Sequence, residues 1–416
     1  MRLIKCTLLC CLLNFSLKAQ EKDMLDVMIG QMLLMGLTNT EVDPLVLQEI
    51  KAGHVGSIIF FEKNVPKSSA SFAALKKLIW TYQKASPIPL FVCIDQEGGR
   101  VNRLKDKYGF TRSITAQDMG RAGTLDSVKF YAEATAATLA GLGFNVNFAP
   151  VVDLAVNPEN TVIVKVGRSF SANPDSVVIL AEEYIKPHRK FGVITVLKHF
   201  PGHGSSQTDT HFGVADVTKT WTDAELIPYQ RMIAAGTMDA VMTSHIVNFK
   251  LDPRGYPGTL SSRMIDSLLR KQFHYNGVVF SDDMQMLAIA KQYGLEETVK
   301  LTINAGVDVL CFSNNIQGSE NRTVNRVHSI IRALVESGQI KREKIVESFD
   351  RIMKLKLSIG STTEENLRRE LNASQQELAI LKKSKPQGES IEKSSGEAPV
   401  ATPNEESPNK KKKKKS

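Results

Sequence analysis

The chain has 416 residues, of which 42% are hydrophobic and 23% are charged, a globular composition with enough apolar material for a large core. The net charge of +9 does not indicate a nucleic-acid-binding surface, because removing the six lysines of residues 410–415 leaves +3. Nucleic acid is therefore excluded as a partner, and the basic character belongs to the C-terminal tail.

Residues 1–19 have the features of a cleaved secretory signal peptide. A short positive region precedes an apolar run, Leu8 to Leu17, that is too short to span a bilayer, and "LKA" then leads into a polar segment. We expect cleavage after Ala19 and a periplasmic or secreted protein, with a buried N-terminal helix as the alternative. A lipid anchor at Cys10 or Cys11 is disfavoured, because the residues before them lack the small side chain that such a site prefers.

Only two cysteines, Cys93 and Cys311, follow the signal segment. Both lie inside apolar runs, "LFVCID" and "VDVLCFS", so we expect two buried, free thiols. The sequence contains neither a disulfide framework nor a CxxC metal-binding pattern.

Residues 20–360 alternate between short apolar runs and helix-like stretches such as residues 68–85 and 126–143. This alternation predicts a parallel sheet covered by helices, and eight units fit an α/β fold of the (β/α)8 TIM barrel type. A doubly wound open sheet is the alternative, but "MGLTNTEVD" after the first run lacks the glycine-rich fingerprint that it would need. The eight runs begin at Gln31, Val55, Leu90, Phe144, Val193, Ala240, Gly277 and Val307.

The composition changes after Gly360, where the last barrel helix is expected to end. Residues 361–385 predict a short amphipathic helix, and residues 386–416 predict a disordered Lys-rich tail. The tail could hold the protein weakly near anionic envelope polymers, or it could simply be a solvated segment. We expect a monomer.

Acidic and basic residues close several of the apolar runs. Because chemistry in a parallel barrel lies where the strands end, these residues predict an active site at that end. They are Asp95 with Glu97, Asp153, Lys198 with His199, His245, and Asp282 with Asp283.

The stretch "KHFPGHGSSQTDTH", from Lys198, has three possible interpretations. A metal site would use His199, His203 and His211, but Pro201 and the glycines prevent the helical spacing typical of zinc hydrolases. A phosphate loop would need a GKS or GKT sequence, which does not follow.

The third interpretation is an acid–base loop. The strand end would present Lys198 and His199 to a ligand, and the glycine-rich loop would carry an Asp209–His211 pair over it. An aspartate bonded to one ring nitrogen fixes the histidine tautomer and leaves the other nitrogen to move protons.

Four motifs together resemble the β-N-acetylhexosaminidases of glycoside hydrolase family 3. They are "IDQEGGRVNRL" from Ile94, "VGRSF" from Val166, "KHFPGHGSSQTDTH" from Lys198 and "FSDDMQM" from Phe280. The resemblance covers residues 24–360, and its motifs occur in the family's order at the predicted strand ends.

This resemblance implies roles for individual residues. Asp282 matches the nucleophile, and His211 with its partner Asp209 matches the general acid/base, while Asp283 is left out of catalysis. No metal and no organic cofactor is implied. The positions that match sugar-binding residues of the family are Asp95, Arg103, Arg168, Lys198 and His199.

The resemblance also implies a retaining exo-glycosidase that removes terminal β-linked N-acetylglucosamine, with peptidoglycan fragments as the expected source. The expected partner is therefore a carbohydrate. A glycoside phosphorylase or a β-glucosidase on the same barrel is an alternative, since a histidine acid/base repels an incoming phosphate less than a carboxylate does. A non-catalytic sugar-binding protein of the envelope is a second alternative.

Overall fold

The computed structural model describes residues 24–68, 70–207, 213–315 and 323–359. The predicted signal peptide, the predicted helix of residues 361–385, the Lys-rich tail and the Asp209–His211 pair lie outside these ranges. Among the residues that are described, no helix is both long and apolar enough to cross a membrane.

Eight parallel strands form a closed barrel in which consecutive strands pair with each other and the first pairs with the last. The predicted TIM barrel is thus confirmed, and each of the eight predicted runs contains one barrel strand. The strands are β1 Leu33–Gly36, β2 Ser57–Phe60, β3 Phe91–Ile94, β4 Val146–Asn147, β5 Ile194–Phe200, β6 Ala240–Thr243, β7 Val278–Asp283 and β8 Val309–Phe312.

Helices connect and cover these strands. The α-helices span residues 24–31, Pro44–Lys51, Ser71–Ala85, Ala116–Arg121, Leu125–Leu142, Pro174–Lys190, Ile227–Ala234, Leu287–Ala290, Leu295–Ala305, Val324–Glu336 and residues 342–359. A π-type helix spans Arg263–Gln272, and short 3-10 helices span Glu62–Asn64, Asp106–Tyr108, Asp223–Leu226 and Gly258–Leu260. A separate pair of two-residue strands, Ala215–Asp216 and Ile246–Val247, lies outside the barrel sheet.

Local sequence explains where several helices begin and end. Asp43 accepts hydrogen bonds from the first-turn amides of Pro44–Lys51, and Asn173 does the same for Pro174–Lys190. Proline follows each of these caps, at the position where a helix needs no amide hydrogen. Gly143 ends Leu125–Leu142 with a left-handed φ of 99°, which favours glycine.

The strands are buried on both faces, as a helix-covered barrel requires. All four side chains of β2 and of β3 are buried, and so are all seven of β5. Phe91 of β3 and Phe280 of β7 approach with ring centroids 6.0 Å apart, although their strands are not neighbours. Their contact therefore crosses the barrel interior and fills it with aromatic side chains.

The first and last parts of the barrel are joined by polar contacts. Arg332 binds the Asp26 carboxylate, with a distance of 2.7 Å from Nη1 to Oδ2. Lys356, which is 5% exposed, donates from Nζ to Gln31 Oε1 at 2.7 Å and to the Gly56 carbonyl at 2.8 Å. Lys356 also lies 4.8 Å from the ring of Phe91, at the start of β3. These bonds therefore lie at the amino ends of the strands, away from the predicted site.

Candidate active site

A cavity of about 200 Å³ lies at the carboxyl ends of the barrel strands. Its wall combines apolar side chains with four carboxylates and three cations, which suits a small polar ligand. Its titratable lining residues are Asp95, Glu97, Arg103, Arg168, Lys198, His199, His203, Asp282, Asp283 and Cys311.

Asp95, directly after β3, is held by two cations. Lys198 Nζ lies 2.8 Å from Asp95 Oδ1, and Arg103 Nη2 lies 3.3 Å from Oδ2. Burial alone would raise the pKa of the Asp95 carboxyl, but the charges of Lys198 and Arg103 outweigh it and hold that pKa well below its usual range. Asp95 is therefore an ionised hydrogen-bond acceptor on the cavity wall at any working pH.

Glu97 forms a second ionic contact beside the first. Arg168 binds it with both prongs of the guanidinium, from Nε to Oε2 and from Nη2 to Oε1, each at 2.8 Å. Lys198 Nζ is 2.6 Å from Oε1 of the same carboxylate. Burial would raise the pKa of Glu97, but Arg168 and Lys198 lower it to about 2. The three charged side chains form one rigid unit, so the hydrogen-bonding atoms of the cavity wall are fixed before any ligand arrives.

The orientation of His199 follows from its two neighbours. Arg168 Nη2 donates to His199 Nε2 at 3.1 Å, so Nε2 is the acceptor nitrogen. The other nitrogen, Nδ1, then carries the hydrogen and donates to Asp153 Oδ2 at 2.6 Å. Asp153, which lies six residues after the end of β4, thereby fixes the ring plane and the tautomer of His199.

Asp282 and Asp283 close β7 and line the same cavity. Oδ1 of Asp282 accepts the amide of Asp283 at 2.8 Å. Asp283 instead points to the end of β8, where its carboxylate accepts the hydroxyl and the amide of Ser313. Burial raises the pKa of Asp283 to about 6, with Ser313 opposing part of the shift. The two adjacent carboxylates thus occupy different environments.

Three buried side chains fix the turn "PGHG" that follows β5. Asp153 Oδ1 accepts the His203 amide at 2.8 Å, Asn160 Nδ2 donates to the His203 carbonyl at 2.8 Å, and Glu225 Oε2 accepts the Gly204 amide at 2.8 Å. Glu225 is 1% exposed, and burial raises its pKa to about 7. Burial also lowers the pKa of His203 to about 4, so this ring is neutral at ordinary pH. The turn that follows β5 is therefore held rigidly.

The structure brings six of the eight predicted site residues into one cavity. The remaining two, Asp209 and His211, lie outside the described residues, so their placement stays a prediction. The six are Asp95, Arg103, Arg168, Lys198, His199 and Asp282.

Three residues that organise the site have no role predicted from the sequence. Glu97 and Asp153 are recognisable in the sequence only as polar residues near strand ends, and that position is the signal that could identify them. Glu225 lies in "DAELIPY", a segment with no motif, and reaches the turn after β5 only through the tertiary fold.

Comparison with known proteins places this architecture among glycosidases. The family model described as the glycosyl hydrolase family 3 N-terminal domain matches residues 24–355. The β-hexosaminidase of Tolumonas auensis is 30% identical over 309 residues, which are 72% of this chain and 90% of that relative. The β-hexosaminidase of Xanthomonas campestris pv. campestris is 32% identical over 309 residues, which are 71% of this chain and 89% of that relative.

The fold is also similar to that of a solved structure from glycoside hydrolase family 3. The glycoside hydrolase family 3 β-N-acetylglucosaminidase of Paenibacillus sp. str. FPU-7 has a TM-score of 0.73 and 33% identity to this chain. The match covers 80% of this chain and 62% of that protein.

Proposed function

Because the chain belongs to glycoside hydrolase family 3 and is a glycoside hydrolase of the β-hexosaminidase type, we propose that it removes terminal β-linked N-acetylglucosamine through a covalent bond to Asp282. The observation that carries this proposal is the cavity at the strand ends. Asp282 lines this cavity together with the charged side chains of Asp95, Lys198 and Arg168.

Asp282 has the properties of a nucleophile. It sits at the end of a barrel strand, and the Asp283 amide holds its Oδ1. In the proposed first step, an Asp282 carboxylate oxygen bonds to the anomeric carbon while the bond to the leaving oxygen breaks. His211 gives its proton to that oxygen. In the second step His211 removes a proton from water, water bonds to the anomeric carbon, and the Asp282 ester bond breaks with net retention.

The charged wall supports binding of one sugar residue. The carboxylate of Asp95 accepts hydrogen bonds from sugar hydroxyls, and the cations of Lys198, Arg103 and Arg168 donate to hydroxyls and to the acetamide carbonyl. His199, held in one tautomer, adds a further polar contact. A cavity of about 200 Å³ suits one terminal residue better than an extended chain, which supports exo action.

We propose peptidoglycan fragments as the source of the substrate, with phosphorolysis as the main competing reaction. The cations of the described cavity wall weigh against phosphate as the acceptor. Arg103 and Arg168 are each paired with a carboxylate, and Lys198 contacts two. The part of the wall that the structure describes carries four carboxylates against these three cations, so an incoming phosphate would meet no excess of positive charge there.

The test is hydrolysis of 4-nitrophenyl N-acetyl-β-D-glucosaminide beside the matching β-glucoside, with and without phosphate. We expect turnover of the N-acetyl substrate, its loss in Asp282→Ala and His211→Ala, and no dependence on phosphate. A sugar 1-phosphate product would establish a phosphorylase, and equal turnover of the glucoside would establish a β-glucosidase. A folded protein that turns over neither substrate would favour the sugar-binding alternative. Release of N-acetylglucosamine from purified muropeptides tests the proposed source.

We further propose that the enzyme is exported, that residues 1–19 are removed, and that it acts as a monomer. Mass spectrometry of the protein from its native envelope should then find Gln20 as the first residue. Light scattering that reports a dimer would contradict the monomer. Unchanged envelope association after deletion of residues 386–416 would exclude an electrostatic role for the tail.

A further inference from the structure

His245 follows β6 and was identified in the sequence as a polar residue at a strand end. The structure buries it completely, and it is not among the described residues that line the cavity. His245 therefore does not contact the sugar from the described wall. Its contacts run instead to the backbone of the strand that carries Asp282.

Three buried side chains form a chain of hydrogen bonds, here called the relay, which consists of Thr243, Thr259 and His245. Thr243 Oγ1 and Thr259 Oγ1 are 2.7 Å apart, and Thr259 Oγ1 is 2.8 Å from His245 Nδ1. All three residues are 0% exposed. Water therefore does not compete for these bonds, and each hydroxyl must find its partners within the protein.

Both ends of the relay bind the backbone around the nucleophile. The amide of Asp282 donates to Thr243 Oγ1 at 3.4 Å, and His245 Nε2 lies 2.9 Å from the carbonyl oxygen of Asp283. Between these two points lies the Asp283 amide, which donates to Asp282 Oδ1 at 2.8 Å. The relay thus holds the peptide group that in turn holds the carboxylate.

The hydrogen bonds of the relay connect its members in sequence. His245 Nε2 lies against a carbonyl, which only accepts, so Nε2 carries a hydrogen. The Thr259 hydroxyl also lies 3.1 Å from the Ser244 carbonyl, so its single hydrogen is directed either there or to His245 Nδ1. In both arrangements its oxygen is left to accept from the Thr243 hydroxyl, whose own oxygen accepts the Asp282 amide. Removal of the Thr259 hydroxyl therefore breaks the connection between His245 and Thr243.

We propose that His245 is a positioning residue which, through Thr259 and Thr243, fixes the carboxylate of Asp282 for attack on the anomeric carbon. This inference rests on the proposed role of Asp282 as the nucleophile. The bonds from the relay to the nucleophile strand go to its backbone, and none of the three relay residues is among the described residues that line the cavity, so the relay acts on the geometry of the chemical step rather than on the binding of the sugar. A displacement of well under a bond length is enough to slow such a step.

The experiment uses the complete mature enzyme and the 4-nitrophenyl N-acetyl-β-D-glucosaminide assay. Thr259→Val removes the hydroxyl at constant shape, and Thr259→Ser retains it. Thr243→Val breaks the relay at another bond, so the test stands even if Thr259→Val does not fold. The matched control is Thr195→Val, because Thr195 is equally buried but bonds Asp239 at 2.9 Å at the opposite end of the barrel.

We expect kcat to fall about tenfold in each valine variant of the relay, with KM changed less than about twofold. Thr259→Ser should restore kcat, and Thr195→Val should leave it unchanged. The double variant Thr243→Val/Thr259→Val should lose no more kcat than the worse single variant, because both changes break the same relay.

Two results would overturn the proposal and are distinguishable from each other. If both valine variants keep the wild-type kcat, or if only their KM rises, while Asp282→Ala is inactive, the proposed role of the relay is wrong and the nucleophile assignment stands. Full activity of Asp282→Ala would instead remove the nucleophile assignment, and the relay with it.

Discussion

Lys198 Nζ donates to Asp95 Oδ1 at 2.8 Å, although the two residues are 103 positions apart in the chain. The same ammonium also binds Glu97, so one nearly buried cation stands between two carboxylates. Lys198 thus helps to offset the free-energy cost of burying both carboxylates, together with Arg103 on Asp95 and Arg168 on Glu97.

We predict that Lys198→Met destabilises the protein by about 1.5–3 kcal/mol, because it removes a charged hydrogen-bond donor and leaves Asp95 and Glu97 with one cation each in a site of low exposure. The side chains of Lys198 and Glu97 are 2% and 6% exposed. Denaturant unfolding at neutral pH measures the loss. The control is Lys165→Met, whose pair with Glu159 is largely exposed and should contribute nothing measurable. Equal stability of the two variants would contradict the prediction.

A second prediction concerns the two-pronged contact of Arg168. Arg168→Lys keeps the charge but cannot bind both oxygens of Glu97 and also donate to His199, so we expect kcat/KM to fall about 10–100-fold. Arg254 makes a comparable two-pronged contact with Asp252, at 2.9 and 2.8 Å, with neither residue among the described lining residues of the cavity. Arg254→Lys should therefore keep kcat/KM, and a similar loss in both variants would indicate a general effect on folding.

We expect the buried Glu225 to make the folded protein less stable as the pH rises. Burial raises its folded-state pKa from 4.5 to about 7, so the fold disfavours the ionised carboxylate. This cost is absent below about pH 4.5, grows through the interval and is complete above about pH 7. Glu225→Gln retains an acceptor for the Gly204 amide and removes the cost.

The stability advantage of Glu225→Gln over the wild type should therefore be on the order of 2 kcal/mol larger at pH 8 than at pH 5. Urea unfolding of both proteins at these two pH values measures the difference. A difference in unfolding free energy between the two proteins that is the same at pH 5 and at pH 8 would show that Glu225 does not titrate between these pH values.

The two cysteines of the barrel should be inert in the folded enzyme. Cys93 and Cys311 are free and buried, and burial raises the pKa of both thiols well above the usual value. A colorimetric thiol reagent should detect neither of them in protein that lacks residues 1–19, and should detect both after unfolding. Rapid native labelling of Cys311, which lines the cavity, would show that the cavity opens more widely than described.

The barrel was predictable because most of its strands lie in compact apolar runs that are buried on both faces, so their positions can be read directly. Their lengths cannot all be read in this way, since the run that begins at Phe144 contains only the two-residue strand Val146–Asn147. The expectation of two buried, free thiols was confirmed for the same reason. The two-residue strands Ala215–Asp216 and Ile246–Val247 are too short to produce a periodic signal.

The site was predictable to the extent that chemistry-bearing residues follow strands directly. Asp95, Lys198 and Asp282, which line the cavity, could be located at strand ends in this way, and their roles in binding and catalysis stay predictions. The contacts that orient the site could not be identified from the sequence, because their partners are far apart in the chain. Glu97 and Arg168 are 71 residues apart, and Asp153 and His199 are 46 residues apart. Such pairs are set by the closure of the barrel, which no local pattern encodes.

The bonds from Asp26 to Arg332 and from Gln31 to Lys356 join positions 306 and 325 residues apart. On the ribosome, the first strand is therefore made long before β8 and the helix of residues 342–359 that complete its surroundings. Until those residues emerge, β1 keeps an unpaired edge and Gln31 lacks the ammonium that it accepts from. Because β1 pairs with β8, the barrel that carries the cavity can close only after residues 309–312 have been synthesised.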